Sequence, residues 1–271
     1  MSSEKLIVLT NDDGIESYGL YAAAEALSDL GRLIVAAPKE QSSGAGRSTP
    51  GGYDKTITPC SFSYHGQKFD AFAVGGTPAL TVQHAIIEIC ERKPDLVVSG
   101  INYGENFGTT LTASGTVGAA LEAASWGIPG LAVSLKLLEQ SQFNSRESLD
   151  FEACAVFTKK FAAMILKKQL PEDVDILNVN VPYEATEETP WRVTRLARHR
   201  YYKIDGHRRN AWSDPCTFIH SYHMEPGDVP ADTDIAAVCF DHMVSVTPIS
   251  IDLTARTDIP ALEKRLRSLE A

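Results

Sequence analysis

Asn11-Asp12-Asp13-Gly14 places an amide, two carboxylates and a glycine directly after the apolar run Leu6-Ile7-Val8-Leu9. Neighbouring carboxylates repel when both are ionised, and a bound cation is the simplest way to hold them together. Hard oxygen donors of this type suit Mg²⁺ or Mn²⁺. An Asx turn leading into a helix uses the same residue types, so this stretch alone leaves both readings open.

Two further segments have comparable chemistry. Lys39 to Ser48 is hydroxyl- and glycine-rich, and the Ser43 hydroxyl could reach a cation held by the aspartates. Gly100-Ile101-Asn102-Tyr103-Gly104-Glu105-Asn106-Phe107-Gly108 spaces glycines around two asparagines, so side-chain carbonyls can turn toward a common centre. Ser114-Gly115-Thr116 opens a helix, whose free N–H groups could receive a phosphate. An ordinary Ser or Thr N-cap is the plainer use of those residues.

The elements that must position these segments follow from hydrophobic periodicity. Continuous apolar runs at Leu6–Leu9 and Leu33–Ala37 suit strands buried on both faces, and Pro94–Gly100, Ile128–Leu135 and Asp175–Pro182 read as further parallel strands. Residues 16–30, 78–90, 114–126 and 149–170 carry helical spacing, with Gly31 as a C-cap and Thr77-Pro78 as a capped start. Residues 53–74 alternate and turn at His65-Gly66, which predicts a hairpin or antiparallel strands after the second strand.

This alternation predicts an α/β fold, a Rossmann-like doubly wound, mostly parallel sheet. Residues 1–182 form its core. The character changes after Pro182, with polar strands at Arg192–Arg195 and Arg200–Ile204, no clear helix before Asp232, a short helix from Thr233, a strand from Met243 and a closing helix at 259–269. Residues 183–271 therefore read as a β-rich extension that returns to the core. Right-handed crossovers bring the ends of parallel strands to one edge. Asp12, Asp13, Ser43 and Asn102 then meet there, as an all-oxygen set with room for water and a substrate oxygen.

The chain has 271 residues and a net charge of −10, which disfavours a nucleic-acid backbone as partner. Its start has neither a basic nor a long apolar segment, and no stretch has the length of a membrane span, so a cytoplasmic protein without membrane contact is expected. Five scattered cysteines without a C-x-x-C pair read as buried small hydrophobes in a reducing compartment. The positive cluster from Arg195 to Arg209 reads as a solvated face or subunit contact. His220 and His223 form an H-x-x-H for which no third zinc ligand is evident.

Taken together, Asn11-Asp12-Asp13-Gly14, Ser43-Gly44, the asparagine-glycine segment from Gly100 to Gly108 and Ser114-Gly115-Thr116-Val117 resemble the SurE family, over nearly the whole chain. The resemblance implies a metal-dependent 5'-nucleotidase acting on nucleoside monophosphates, with 3'-nucleotides or short polyphosphate as possible side substrates. It implies one divalent cation per subunit, held by Asp12, Asp13, Ser43 and Asn102, with Asp12 and Asp13 catalytic, and a phosphate met by Asn106, Ser114, Gly115 and Thr116. It also implies a homodimer or homotetramer, so the β-rich extension becomes an oligomerisation element with C-terminal arms exchanged between subunits. Arg47 stands where His or Asn is common, Ala113 where Tyr is common, and Ala79-Leu80-Thr81 replaces a small residue followed by Asp and Cys. These departures bear on pocket shape and leave the four metal positions intact.

Two other readings compete. A phosphatase with an aspartyl-phosphate intermediate would use Asp12 as nucleophile, but its better-known form separates the aspartates by one residue. A non-catalytic nucleotide-binding regulatory protein could use the same fold, although paired acids would weaken anion binding without a metal.

Overall fold

The first apolar run forms β1 (Leu6–Thr10), buried over its whole length, as a strand covered on both faces requires. The computed structural model describes residues 4–137, 149–167, 170–206, 209, 211–214, 218–221 and 224–270, and places β1 inside a nine-stranded sheet. β2 (Arg32–Pro38) and β5 (Leu96–Tyr103) flank β1 in parallel. Beyond β2 lie β4 (Gln67–Val74), parallel to it, and then β3 (Ile57–Tyr64), antiparallel to β4. Beyond β5 the parallel run continues with β6 (Gly130–Leu135) and β7 (Ile176–Val181). β11 (Val244–Ile249) is antiparallel to β7, and β8 (Trp191–Val193) closes the edge parallel to β11.

The chain moves from β1 toward β2 and later resumes on the opposite side at β5. The β1/β5 boundary is thus the topological switch point, the crevice where open α/β sheets hold ligands.

Helices cover both faces. α1 (Tyr18–Leu27) and α4 (Glu152–Leu166) pack together on one side, where Leu20, Leu27, Phe157 and Phe161 join Ile7 and Leu9 in the main core. α2 (Pro78–His84) and α3 (Gly115–Ser125) pack on the other, where Val82, Ala119 and Ala123 meet Val8 and Val97. Truncating one such side chain, Leu9→Ala for example, should cost about 2–5 kcal/mol.

Capping sets several boundaries. Ser17 accepts from the Leu20 N–H, so α1 starts at Tyr18, two residues after the expected start. Thr77 caps α2 with Pro78 in its first turn, as expected, but α2 ends at His84 and a π-helical turn, Ala85–Ile89, replaces its last residues. The hairpin turns at His65-Gly66 as expected, and Pro59 is tolerated because β3 is an edge strand. Its second strand pairs with β2, so the hairpin widens the main sheet.

The third polar segment departs from expectation. β5 does not end at Gly100 but runs on to Tyr103 through a register shift against β6 between Ser99 and Asn102. A bulge re-aims the side chains that follow it while pairing resumes. Asn102 therefore stands on a strand end, where a loop was expected.

Beyond Pro182 the chain contributes β8 and β11 to the main sheet, α5 (Asp234–Cys239), and a two-stranded ribbon of β9 (Lys203–Gly206) and β10 (Phe218–Ser221). The stretch around His220 reads from the sequence as strand or loop, since four residues are too few for alternation to decide, and it pairs as β10. α6 (Ile259–Arg267) buries none of its residues. Among the described residues, no helix is long and apolar enough to cross a membrane.

Candidate active site

β1 delivers Asn11, Asp12 and Asp13 to the crevice. Asn11 builds the turn itself: its Nδ2 donates to the Gly14 carbonyl at 2.9 Å and to Ser17 Oγ at 2.7 Å, while Gly14 N–H donates back to Oδ1 at 3.2 Å. The Asx turn and the acidic pair thus coexist, with Asn11 serving the turn.

Hydrogen bonds tie the other segments to the two aspartates. The Ser42 N–H donates to the Asp12 carbonyl at 2.7 Å, which seats the loop after β2 beside β1. Gln41 Nε2 donates both to Asp13 Oδ1 at 3.2 Å and to Ser43 Oγ at 2.9 Å. From β5, the Tyr103 N–H donates to Asp13 Oδ2 at 3.2 Å, which brings the adjacent Asn102 to the same place. Asn102 Nδ2 donates to the Gly104 carbonyl at 2.6 Å, so its carbonyl oxygen is the atom suited to a cation. Gln41 thus bridges Asp13 and Ser43, and Asn102 directly precedes Tyr103, whose N–H binds Asp13, on β5.

The donor chemistry fits a hard divalent ion: two carboxylates, an amide oxygen and a hydroxyl. Among the described residues, no group of three or more His, Cys, Asp or Glu side chains is placed to hold a metal. A cation site must then draw on neutral oxygens, as this set does. Thr10 Oγ1 and Ser99 Oγ, paired in register just before the crevice, are buried and make no hydrogen bond. Polar groups extend beneath the site where an apolar core would carry none.

α3 supplies the neighbouring wall. Ser114 Oγ accepts from the Val117 N–H at 3.1 Å, so the plain N-cap reading describes its side chain here. The Thr116 hydroxyl donates to Asp12 Oδ1 at 2.7 Å. A Cβ on Gly115 would lie 2.8 Å from Asp12 Cβ and 2.9 Å from Asp12 Oδ2, so only glycine lets the helix start approach that carboxylate. The first N–H groups of such a helix have no intrahelical partner and carry the positive end of its dipole.

Asn106 is fixed mainly through its backbone. Its N–H donates to Asn180 Oδ1 at 2.8 Å, its carbonyl accepts from Asn178 and Asn180 at 3.0 and 3.2 Å, and its Nδ2 donates to Ser134 Oγ at 2.8 Å. Two residues on, the Gly108 N–H donates to Asp234 Oδ2 at 2.9 Å. Burial pushes the Asp234 carboxyl above its usual range, against the opposing pull of the Gly108, Ala197 and Ile235 N–H groups. Glu105 is likewise raised by burial, although the Tyr202 hydroxyl donates to it.

Asn178, Asn180, Asp234 and Gln41 were not foreseen as supports of the site. The two asparagines left a signal: amides at alternate positions of an otherwise apolar strand. The described thiols, Cys60, Cys90, Cys154 and Cys239, are free. Within the positive cluster, Arg195 pairs with Asp232 at 2.9 Å on the surface, while His207 and Arg208 lie outside the described residues. Of the H-x-x-H, His220 stands on β10, paired with Ile204, and His223 lies outside the described residues. A cavity of about 690 Å³ opens elsewhere, between Tyr18, Tyr64, His65, Phe151 and Lys159, and contains none of the candidate catalytic side chains.

The profile of the family described as Survival protein SurE matches residues 7–203. The 5'-nucleotidase SurE of Methanosarcina acetivorans is 43% identical over 269 residues, covering 96% of this chain and 97% of that protein. The protein of the same name from Thermococcus gammatolerans is 42% identical over 260 residues, covering 96% and 95%. Among solved structures, the SurE protein from Aquifex aeolicus superposes with a TM-score of 0.74 at 33% identity, covering 98% of this chain and all of that one. With matches of that length on both sequence and fold, the chain belongs to the SurE family.

Proposed function

We propose that this protein is a 5'-nucleotidase that hydrolyses nucleoside 5'-monophosphates to nucleoside and phosphate, using one divalent cation, Mg²⁺ or Mn²⁺, per subunit. The observation that supports the reading most is the stitching of three distant segments through Asp12 and Asp13, by Ser42 N–H, Gln41 Nε2 and Tyr103 N–H, at the sheet's switch point. The naming of the Methanosarcina and Thermococcus relatives as 5'-nucleotidases supports the reaction class.

Asp12, Asp13, Ser43 and Asn102 would hold the cation. When bound, it supplies charge to polarise a phosphoryl oxygen and to make water a stronger nucleophile. Thr116 orients the Asp12 carboxylate, and Asp12 or Asp13 can orient the attacking water or take its proton. Gly115 and Thr116, at the start of α3, would present N–H groups to the phosphate beside Ser114, whose own N–H donates to the Leu111 carbonyl at 3.1 Å, and Asn106 would add its amide. Burial of Asp12 and Asn106 limits competing water around these dipoles.

The protein is proposed to act as a homodimer or homotetramer in the cytoplasm. Support for assembly comes from α6, whose Ile259, Leu262 and Leu266 are all exposed on a helix with no buried residue. The four free cysteines suit a reducing compartment.

Phosphate release from AMP, measured with Mn²⁺ or Mg²⁺ and with excess chelator, tests the proposal. Chelator and Asp12→Asn should each abolish most turnover, Asn102→Ala should lower it, and Ser43→Ala should act more mildly than Asp12→Asn because a hydroxyl contributes no net charge. Unchanged turnover in Asp12→Asn or Asn102→Ala would overturn the assignment. Nucleotide binding without phosphate release under either metal would favour the regulatory alternative.

A further inference from the structure

The loop that carries Ser43 is pinned to α3 by a charged contact that no part of the proposed chemistry uses. Arg47 Nε donates to Glu122 Oε2 at 2.7 Å, while the other carboxylate oxygen accepts from Gln83 Nε2 and from Trp126 Nε1, each at 3.0 Å. The Glu122 side chain is only 5% exposed and that of Arg47 44%. Burial by itself would raise the Glu122 carboxyl; the donors from Arg47, Gln83 and Trp126 outweigh it and hold the group below its usual range. Nearby, the Gly46 N–H donates to the Ala113 carbonyl at 3.0 Å, and a Cβ on Gly118 would come within 2.2 Å of the Gly46 carbonyl oxygen. The loop therefore lies directly on α3, the same helix whose first turn holds Asp12.

We infer that the Arg47–Glu122 pair is a latch that fixes the Ser43 loop in register with Asp12, making Arg47 and Glu122 positioning residues for cation binding. Glu122 follows Gly115 by seven positions, about two helical turns, so one rigid rod sets the place of Asp12 at its start and of the loop further along. A buried carboxylate with three donors is a fixed anchor, and the half-exposed arginine is the arm that reaches it. The inference rests on the reading that Ser43 is a cation ligand.

Two measurements on the full-length protein test it: hydrogen exchange of the amides in residues 42–48, and the Kd for Mn²⁺ by calorimetric titration without nucleotide. Arg47→Ala should speed exchange of the loop about tenfold and raise the Mn²⁺ Kd about five- to tenfold, while the amides of α3 stay protected. Arg47→Lys keeps a donor and should lie between. In the double variant R47A/E122Q the unpaired buried charge is gone, so thermal stability should recover while loop exchange and Kd stay elevated. A merely structural role would let Kd recover together with stability, and that result overturns the latch. So does loop exchange within about twofold of wild type in Arg47→Ala. Absence of Mn²⁺ binding in the wild type would instead sink the cation reading, and loop exchange would still decide whether the latch exists.

Discussion

The Thr116 hydroxyl donates to Asp12 Oδ1 at 2.7 Å, linking the first turn of α3 to the residue two positions past the end of β1. Both residues are buried, Thr116 fully. A hydrogen bond to a buried charged group is worth about 1.5–3 kcal/mol. Thr116→Val should therefore lower kcat/KM for AMP about 10- to 100-fold, whereas Thr116→Ser, which keeps the hydroxyl, should stay within a few-fold of wild type. Unchanged kcat/KM in Thr116→Val would show that the hydrogen bond to Asp12 does not matter.

Gly115→Ala is expected to be more damaging than its size suggests. The added methyl would sit 2.8 Å from Asp12 Cβ, so the carboxylate or the helix start must shift. Alanine favours the helix itself, and the melting temperature should change little. Activity should fall at least about tenfold, since a displacement of about 1 Å at a catalytic group is costly. Full activity in this variant would remove Asp12 from the reacting centre.

Asn106→Ala separates support from substrate contact. The bonds from Asn178 and Asn180 reach the Asn106 backbone and survive the substitution, while only the side-chain bond to Ser134 is lost. The fold should persist with a stability loss of about 1 kcal/mol. If the amide meets the phosphate, KM for AMP should rise about tenfold. An unchanged KM would leave Asn106 a brace for its loop.

Asp95 governs acid stability at the start of β1. Burial would raise its carboxyl, but the Leu6 N–H, Arg92 and Lys5 hold it at about 2, below the ordinary 3.8. Because the folded value lies below the unfolded one, the contribution is complete above about pH 4 and fades as the pH falls through 2. Asp95→Asn should lower the melting temperature at pH 7, and its curve should converge on wild type near pH 2. A gap that persists to that pH would exclude the ion pairs as its source.

The core was legible because a parallel sheet covered on both faces demands uninterrupted apolar runs. Ile7, Val8 and Leu9 alone carry that mark, and the capped starts at Thr77 and Ser114 were equally readable. The extension of β5 past Gly100 was not, since Gly-Ile-Asn-Tyr has the composition of a turn, and only the pairings of Asn102 with Ser134 and Tyr103 with Leu135 on β6 keep it in the sheet. β8 and β11 were expected as strands, but the pairing of β11 with β7 and of β8 with β11 joins residues more than fifty positions apart.

Local chemistry and periodicity thus determined the oxygen-rich segments and the strands that end beside them, because residue type and spacing act over short stretches of chain. The partners were a matter for the tertiary structure: Thr116 on Asp12, Gln41 between Asp13 and Ser43, Asn180 on the Asn106 backbone, Arg47 on Glu122. A side chain can choose among many donors and acceptors of equal chemistry. Only packing of the helices and strands brings one of them within hydrogen-bond distance and excludes the rest.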